Sequence, residues 1–253
     1  FFMAMTDSSV WDANEAFYVE TPREMVQSGD WLVPHFNGEP RLNKPPLSYW
    51  LVAVLYRFFG TGLVWERVLM AILASISVLA VFAIARLLYD FEIGLLGAGI
   101  FATTFRFLIV SRRLLIDALV LCCILAGIAL FLHWKKTRWN PTAVASAICF
   151  GLAFLAKGPV AGLPCIFLGL YCLLPANRDC LAGFPWKSAV PAFLAVAGSW
   201  FLALGLMHGW GPVRDFFISE TLGWFTVQDF GPRRGLGYYF GVFLGDFFPW
   251  SLP

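Results

Sequence analysis

Charged side chains are scarce in this sequence. Only 13% of its 253 residues are Asp, Glu, Lys or Arg, whereas a soluble domain carries about a quarter. Hydrophobic residues make up 59% of the chain, and the mean hydropathy is +0.73. One globule in water could not bury so much apolar surface, and the apolar–polar alternation of an outer-membrane barrel is absent. The composition therefore predicts an all-α polytopic membrane protein.

Patterns that bind metals or nucleic acids are lacking as well. The chain has only three histidines, its six cysteines show no zinc-type spacing, and a net charge of +2 is too small to indicate nucleic acid. Most cysteines lie within apolar runs, so we interpret them as buried apolar side chains. No signal peptide pattern is visible. The opening FFMAM and the closing GDFFPWSLP each look like part of a spanning helix, so we expect a piece of a longer membrane protein.

Apolar runs follow one another along most of the chain. They cover residues 68–88, 93–109, 114–134, 142–156, 160–174, 189–207 and 237–252. Crossing a bilayer takes about 20 helical residues, and backbone polar groups in lipid must bond within the segment, so these runs are predicted to be helices. The runs 142–156 and 160–174 are short. Each either gains a turn from its flanks or meets the other in a tight hairpin at residues 157–159.

The segment 46–60, PLSYWLVAVLYRFFG, is apolar but short. If it spans the membrane, the polar residues before it and Asp117 fall on opposite faces. If it lies in the interface, they share one face, and the cluster Lys135, Lys136 and Arg138 lies on the other. Basic residues mark cytoplasmic loops, so we favour the interfacial helix.

The predicted organisation is a single transmembrane module with two extracytoplasmic loops. Its parts are the whole module at residues 1–253, a first loop with interfacial helices at 6–60, spanning helices within 61–253, and a second loop at 208–236.

Two charged residues beside apolar helices are candidates for function, because charge near lipid is costly. Asp117 lies in SRRLLIDALVL, four positions after Arg113, a spacing that places both on one helical face. The alternative is a water-facing charge pair where the helix begins. Lys44 precedes two prolines and an apolar segment, which would hold it at the membrane surface. It could contact lipid phosphates in general or bind one specific phosphate.

The late loop offers a third group of candidates. Glu220, Arg233, Arg234, Tyr238 and Tyr239 precede an apolar run. They suit an anionic lipid head group, and they equally suit plain interfacial anchoring. Acids and cations together at a membrane boundary indicate chemistry on a phosphate-linked lipid. A carboxylate could take a proton from an attacking hydroxyl, and cations could stabilise a departing lipid phosphate.

At these residues the chain resembles the bacterial lipid-linked sugar transferases of the GT-C superfamily, close to the aminoarabinose transferases and the protein O-mannosyltransferases. The resemblance runs from WDANEAFYVETPREM at residues 11–25 through NKPPLSYWL, the RRLLID turn and GLAFLAKGP to the closing GDFFPWSLP. It implies a GT-C-type helical module with a cavity at the outer membrane surface. It also implies sugar transfer from a polyprenyl-phosphate carrier, usually with inversion at the anomeric carbon.

The resemblance also implies roles for residues. An acid of the first loop, Asp12 or Glu15, would handle the acceptor hydroxyl. Lys44 would contact the carrier phosphate, and Asp117 would be functionally important. Our own hypothesis adds Arg113 to the phosphate contacts and has Asp117 shape the cavity or pair with a cation. The binding candidates that complete this set are Arg112, Glu220, Arg233, Arg234 and Tyr238.

The sequence departs from the family pattern at three positions. Asn14 stands where relatives usually have Asp in an Asp-Glu pair, so the choice of base between Asp12 and Glu15 stays open. Asn43 and Thr221 stand where aminoarabinose transferases have a Glu and a His associated with zinc. Neither replacement is a typical zinc ligand. We therefore expect no zinc site, and a divalent cation held by carboxylates is left open.

The sequence thus predicts a membrane glycosyltransferase of a bacterial or archaeal inner membrane, with its active site on the extracytoplasmic side. The donor would be an undecaprenyl-type phosphate sugar, and the acceptor lipid A, another envelope glycan or a protein. The alternative is a transporter or flippase that moves a lipid-linked sugar without forming a bond.

Overall fold

The computed structural model describes residues 13–162, 181–219 and 234–252, together with the single positions 166, 169, 170, 172, 174 and 223. These residues form helices α1 (Ala13–Ser28), α2 (Leu47–Phe59), α3 (Leu63–Leu88), α4 (Phe91–Thr103), α5 (Phe105–Val110), α6 (Ile116–Thr137), α7 (Asn140–Lys157), α8 (Trp186–Ala197), α9 (Ser199–His208), α10 (Trp210–Phe217) and α11 (Leu236–Asp246). A 3-10 helix follows α7 at Gly158–Gly162, and two short antiparallel strands, β1 (His35–Phe36) and β2 (Glu39–Pro40), lie between α1 and α2.

Within the described ranges, α3, α6 and α7 are each long and apolar enough to cross a membrane. Helices α8 and α9 together qualify as a further span that bends by 49° between Ala197 and Ser199. The prediction of an all-α polytopic membrane protein is therefore confirmed. Helix α2 has 13 residues, which rise about 20 Å, short of the roughly 30 Å hydrocarbon core.

The first loop and the connection between α5 and α6 lie at the same end of the spanning helices. Glu15, in the first turn of α1, accepts a hydrogen bond from the backbone N–H of Leu114 at 2.8 Å. Helix α6 begins just after Leu114, so this end also holds Asp117 in its first turn. Lys157, at the last turn of α7, lies there too because it contacts Asp117. The placement agrees with an α2 that does not span, and we call this end the site end.

The other end of the helices collects basic side chains. Helix α6 ends on Lys135 and Lys136, and Arg138 follows in the left-handed conformation that closes the helix. Arg86 lies in the last turn of α3, and Lys187 in the first turn of α8. We call this the basic end.

The first loop is docked on the helices by apolar contacts and by hydrogen bonds from two tryptophans. The indole of Trp50 donates to the Trp31 carbonyl at 2.7 Å, and that of Trp200 in α9 donates to the Leu32 carbonyl at 2.8 Å. Leu32 and the buried Val33 join the main core with residues of α6, α7 and α9. The loop preceding α2 is therefore a fixed part of the site end.

A tight hairpin within that loop was not predicted. Asn37 and Gly38 both have positive φ, 54° and 78°, as the common two-residue Asn-Gly turn requires. The carboxylate of Glu24 accepts both turn N–H groups, at 2.6 Å from Asn37 and 3.1 Å from Gly38. This connection fixes the hairpin to α1.

The predicted helix over residues 93–109 is broken into α4 and α5 at Thr104, whose backbone is extended. The hydroxyls of Thr103 and Thr104 donate to the carbonyls of Gly99 and Ile100, at 2.7 and 2.8 Å. Such side-chain bonds compete with the helical ladder. The backbone N–H of Phe105, freed by the break, donates to the Phe248 carbonyl at 2.8 Å.

Other runs differ from prediction at their ends. The run 142–156 gains residues at both ends to become α7, as one of the two alternatives stated. The run 237–252 is helical only to Asp246 and continues as turns. Most of the run 160–174 lies outside the described residues.

Candidate functional site

Glu15 lies in a fully enclosed ion pair at the site end. Its side chain is 0% exposed, and its carboxylate receives both the guanidinium of Arg67 and the Leu114 N–H. Arg67 is 6% exposed and lies in the first turns of α3. A buried carboxylate without such partners would be strongly destabilising. The sequence GLVWERVL thus provides the cation that lets Glu15 be buried.

The same arginine also holds the backbone that follows α5. Its guanidinium donates to the Arg112 carbonyl at 2.7 Å. We call residues 111–115 the arginine turn. Arg67 donates to a carbonyl of this turn, and Glu15 accepts from an N–H of the same turn, so the ion pair holds the turn at two points. The side chain of Arg112 is exposed and that of Arg113 half-buried, so the turn presents cations at the surface of the site end.

Asp117 pairs with a residue that the sequence reasoning did not select. Its carboxylate contacts the ammonium of Lys157, and 55% of the Asp117 side chain and 29% of the Lys157 side chain are exposed. The predicted helical pairing of Asp117 with Arg113 is wrong in its geometry, because α6 begins at Ile116 and Arg113 lies in the preceding bend. The exposed pair is accessible to a ligand, unlike Glu15.

Lys44 lies in the bend directly before α2. Its side chain is half-buried, and the rings of Pro45 and Pro46 that follow are buried. The prolines therefore hold the chain against the core at the point where α2 starts. Lys44 thus lies directly before α2, and its position at the membrane surface stays a prediction.

Aromatic rings and a further arginine from the first loop lie beside these charges. The guanidinium of Arg41 lies 3.7 Å from the ring centroid of Phe17, and its Nε donates to the Tyr49 hydroxyl at 3.4 Å. Tyr18 stacks on Tyr49 with centroids 5.6 Å apart. Burial raises the pKa of Tyr18, and the neighbouring Tyr49 and Asp117 add to that rise. Burial also raises the pKa of Tyr49.

Helix α1 and the start of α6 are close, because the Glu15 carboxylate accepts the N–H of Leu114 just before α6 begins. The site end therefore brings together Tyr18, Asp117 and Lys157 around the arginine turn. Such a group can bind a phosphate through its cations and keep tyrosine hydroxyls protonated as hydrogen-bond donors.

The late-loop candidates are only partly described. The guanidinium of Arg234 lies 4.1 Å from the ring centroid of Tyr238, at the start of α11. Farther along, Asp246 at the end of α11 lies 3.9 Å from Arg106 of α5. Asp12, Glu220 and Arg233 lie outside the described residues.

No group of three or more His, Cys, Asp or Glu side chains is close enough to share a metal ion within the described residues. Asn43, one of the two positions discussed for zinc, is half-buried beside Lys44. The other position, Thr221, is outside the described part of the chain.

Several residues of this site were missed by sequence reasoning. Arg67 and its neighbour Glu66 are charged residues in the first turns of a spanning helix. Charge within an apolar segment is costly and so marks candidates for function, and this signal was visible in the sequence. Glu66 is also 0% exposed and accepts a hydrogen bond from Tyr56. Tyr18 and Arg41 carried no such signal, because both lie in a polar loop where such residues are common.

Comparisons with known proteins place these observations in a family context. The model of the family described as dolichyl-phosphate-mannose-protein mannosyltransferase matches residues 5–210. An undecaprenyl phosphate-alpha-4-amino-4-deoxy-L-arabinose arabinosyl transferase of Pseudomonas fluorescens is 26% identical over 260 residues, 99% of this chain and 44% of the relative. The corresponding transferase of Aeromonas salmonicida is 27% identical over 258 residues, 99% of this chain and 46% of the relative.

A solved structure shows the same fold. The crystal structure of ArnT from Cupriavidus metallidurans bound to undecaprenyl phosphate superposes with a TM-score of 0.83 at 22% identity, covering 99% of this chain and 47% of that one. Its apo form gives a TM-score of 0.81 at 21% identity, covering 99% of this chain and 46% of that one. The chain thus spans about half the length of the relatives it matches.

Proposed function

Because the chain belongs to the dolichyl-phosphate-mannose-protein mannosyltransferase family, we propose that it carries the catalytic module of a membrane glycosyltransferase. The enzyme takes a sugar from an undecaprenyl-type phosphate carrier and transfers it to an envelope acceptor. The observation that carries the proposal is the convergence of α1, the arginine turn, Asp117 and Lys157 at one end of the spanning helices. The transferases named above act on an undecaprenyl phosphate sugar, which favours transfer over transport by a flippase.

The carrier phosphate binds to the cations of the site end. Lys44, Arg112 and Arg113 provide positive charge at the membrane surface, and Lys157 adds a further ammonium group. We also assign Arg234, whose guanidinium lies over the Tyr238 ring, and its sequence neighbour Arg233 to the carrier phosphate. Glu220 orients a donor or acceptor hydroxyl. Cations placed on the leaving phosphate stabilise the charge that develops as the glycosidic bond breaks.

The reaction is a single displacement that inverts the anomeric carbon. The acceptor hydroxyl loses its proton to a carboxylate while its oxygen bonds to the anomeric carbon. The bond from that carbon to the phosphate oxygen breaks, and the polyprenyl phosphate leaves with the electron pair. Asp117 holds Lys157 beside the phosphate and so keeps the ammonium in place.

Asp12 is the base in this proposal, and Glu15 is a positioning residue. The Glu15 carboxylate is enclosed and paired with Arg67, so an acceptor hydroxyl does not reach it. Asp12 lies three positions earlier in the same segment. The reaction is proposed to proceed without zinc, because Asn43 and Thr221 are poor zinc ligands. A divalent cation bound by carboxylates is the alternative that chelation would reveal.

The active site faces the extracytoplasmic side of the inner membrane. The basic end, with Lys135, Lys136 and Arg138, has the character of cytoplasmic loops. The site end then meets lipid A, another glycan or a protein on the opposite side.

The test is transfer by the purified full-length enzyme in lipid. We expect acceptor-dependent release of undecaprenyl phosphate from a carrier-linked sugar, with the anomeric configuration of the product opposite to that of the donor by NMR. Lys44→Ala and Asp12→Asn should each lower the rate at least about a hundredfold, the scale of a lost acid–base or charge-stabilising group. Arg23→Ala is the control, since Arg23 is half-exposed and pairs only with Glu20 in the described residues. Sugar movement across the bilayer without a new glycosidic bond would refute the proposal.

A further inference from the structure

An apolar crevice opens away from the site end and is lined by α6, α7 and α8 together with Gly169, Cys172, Leu181 and Phe184. Its volume is about 290 Å³, near the roughly 300 Å³ at which ligand pockets begin. The lining includes Phe131, Phe150, Phe184, Trp186 and Val190. The hydroxyl of Ser146, which also lines it, is already used, because it donates to the Gly127 carbonyl at 2.7 Å. The crevice therefore suits hydrocarbon.

The crevice runs inward from the basic end. Trp186 and Phe193 both line it and lie on the same helix, α8, so it follows about 10 Å of helix rise. On α6 it involves Phe131, in the second half of the helix, and on α7 it involves Ser146 to Phe150, in the middle of that helix. It thus lies at the depth of one leaflet, with its outer end at the membrane surface.

Basic side chains lie at the same end of the helices as that outer end. Lys187 follows Trp186 in sequence, and Lys136 lies in the last turn of α6; both are exposed. The guanidinium of Arg138 lies 4.9 Å from the Trp134 ring centroid and donates to the Ala182 carbonyl at 2.5 Å, next to the lining residue Leu181.

The described acids of the basic end lie elsewhere. Asp90 and Glu92 are at the start of α4, where the Asp90 carboxylate accepts the Ile93 N–H at 2.8 Å. The α4 helix packs against α3 and supplies no residue to the crevice lining. Among the described residues, no acid of α6, α7 or α8 lies at this end to offset the positive charge.

We propose that this crevice is a binding site for an anionic phospholipid, with one acyl chain in the crevice and the phosphate group at Lys136, Arg138 and Lys187. Only a molecule that joins a hydrocarbon chain to an anion satisfies both parts of the site at this depth. Basic pockets between spanning helices on the cytoplasmic side are known to hold anionic head groups. The site is separate from the proposed catalytic site, which lies at the other end of α6 and α7.

The test is lipid retention by the purified full-length protein in native mass spectrometry. Phosphatidylglycerol and phosphatidylcholine with identical acyl chains are added in turn. We expect preferential retention of phosphatidylglycerol. Lys187→Gln should weaken this retention roughly fivefold, and Lys136→Gln combined with Lys187→Gln at least about tenfold. Each lost cation removes part of the attraction to the anionic head group. Arg86→Gln is the matched charge control, because Arg86 is at the same end but on α3.

The crevice itself is tested by filling it. Val190→Trp should abolish the retained phosphatidylglycerol, whereas Leu79→Trp should not, since Leu79 is an exposed residue of α3 outside the crevice. Equal retention of the two lipids by the unmodified protein would overturn the proposal. So would loss of binding in Arg86→Gln equal to that in Lys187→Gln. Selective uptake of undecaprenyl phosphate instead would show that the crevice serves the carrier.

Discussion

The arginine turn depends on one buried carboxylate and one buried guanidinium. Glu15 lies in the first loop, Arg67 is 52 positions later, and the two fix the backbone of Arg112 and Leu114 between them. Breaking a buried pair from one side costs about 3–5 kcal/mol because the remaining charge is left unmatched. The cations on the turn thus keep their position through a pair that a substrate does not reach.

We predict that Arg67→Met lowers the free energy of unfolding by about 3 kcal/mol, since it leaves the Glu15 carboxylate buried without a cation. Glu15→Gln combined with Arg67→Met should recover part of the loss, because no unmatched charge then remains. Thermal unfolding in detergent measures both. A double variant as unstable as the sum of the two single variants would exclude coupling between the residues.

Asp117 should behave in the opposite way. Its side chain is 55% exposed in the pair with Lys157, and exposed pairs contribute at most about 1 kcal/mol. We therefore expect Asp117→Asn to leave the melting temperature almost unchanged while lowering sugar transfer at least about tenfold, as expected when a phosphate-binding ammonium loses its positioning partner. Asp117→Glu should restore part of the rate. Loss of folding in Asp117→Asn would assign the pair to stability instead.

Buried tyrosines provide a pH prediction. The pKa values of Tyr18, Tyr49 and Tyr56 are all raised from 10, chiefly by burial. Their neutral forms are favoured in the fold, so the stability they contribute is complete below pH 10 and is lost as pH rises above it. Absorbance at 295 nm should show fewer tyrosinates in the native protein than in the unfolded protein at pH 11. Equal titration of both forms would contradict the burial of these rings.

Some of these residues could be selected from sequence and others could not. Lys44 and Asp117 stood out because charge beside apolar helices is costly. The partner of Asp117 is 40 positions away on another helix, and no local pattern encodes that contact. Glu15 could be identified as part of the acidic segment, but its burial depends on Arg67 and therefore on tertiary packing.

Gly158 joins α7 to the 3-10 helix immediately after Lys157. It has φ +73°, and a Cβ placed on it would lie 2.8 Å from the Phe216 ring of α10. Two constraints therefore act there, a left-handed backbone and a close approach. This constrained turn directly follows Lys157, so a change in it acts beside the pair with Asp117.

We predict that Gly158→Ala destabilises the protein by more than about 1–2 kcal/mol and lowers transfer, because strain and a steric clash add together. Gly38→Ala is the control, since Gly38 has φ +78° but open space around a Cβ, so only the backbone strain applies. Thermal unfolding and transfer rates compare the two. Equal effects on both would remove the contact with Phe216 from the explanation.

Elements were predictable where hydropathy alone decides them. Helices α3 and α6 follow from long apolar runs, whereas α7 follows from a shorter run that gains residues at both ends. The break at Thr104 was not predicted, because the run around it is apolar on average despite its threonines, and because the N–H freed there bonds to a distant carbonyl, that of Phe248. The bend between α8 and α9 was likewise hidden within a continuous apolar run.

The orientation of the whole molecule has a direct test. Glu39 and Arg112 are exposed at the site end, and Lys136 is exposed at the basic end. In a background without native cysteines, a membrane-impermeant maleimide applied to intact cells should label Glu39→Cys and Arg112→Cys but not Lys136→Cys. Labelling of Lys136→Cys alone would invert the orientation and exclude an extracytoplasmic site.

The hydrogen bond between Phe105 and Phe248 has a consequence for biogenesis. The N–H released at the break between α4 and α5 finds its acceptor in a segment synthesised more than a hundred residues later. Until that segment arrives, the N–H lies within an apolar region without this partner, where an unmatched backbone group costs several kcal/mol. The packing at this break is therefore complete only when the late segment is in place.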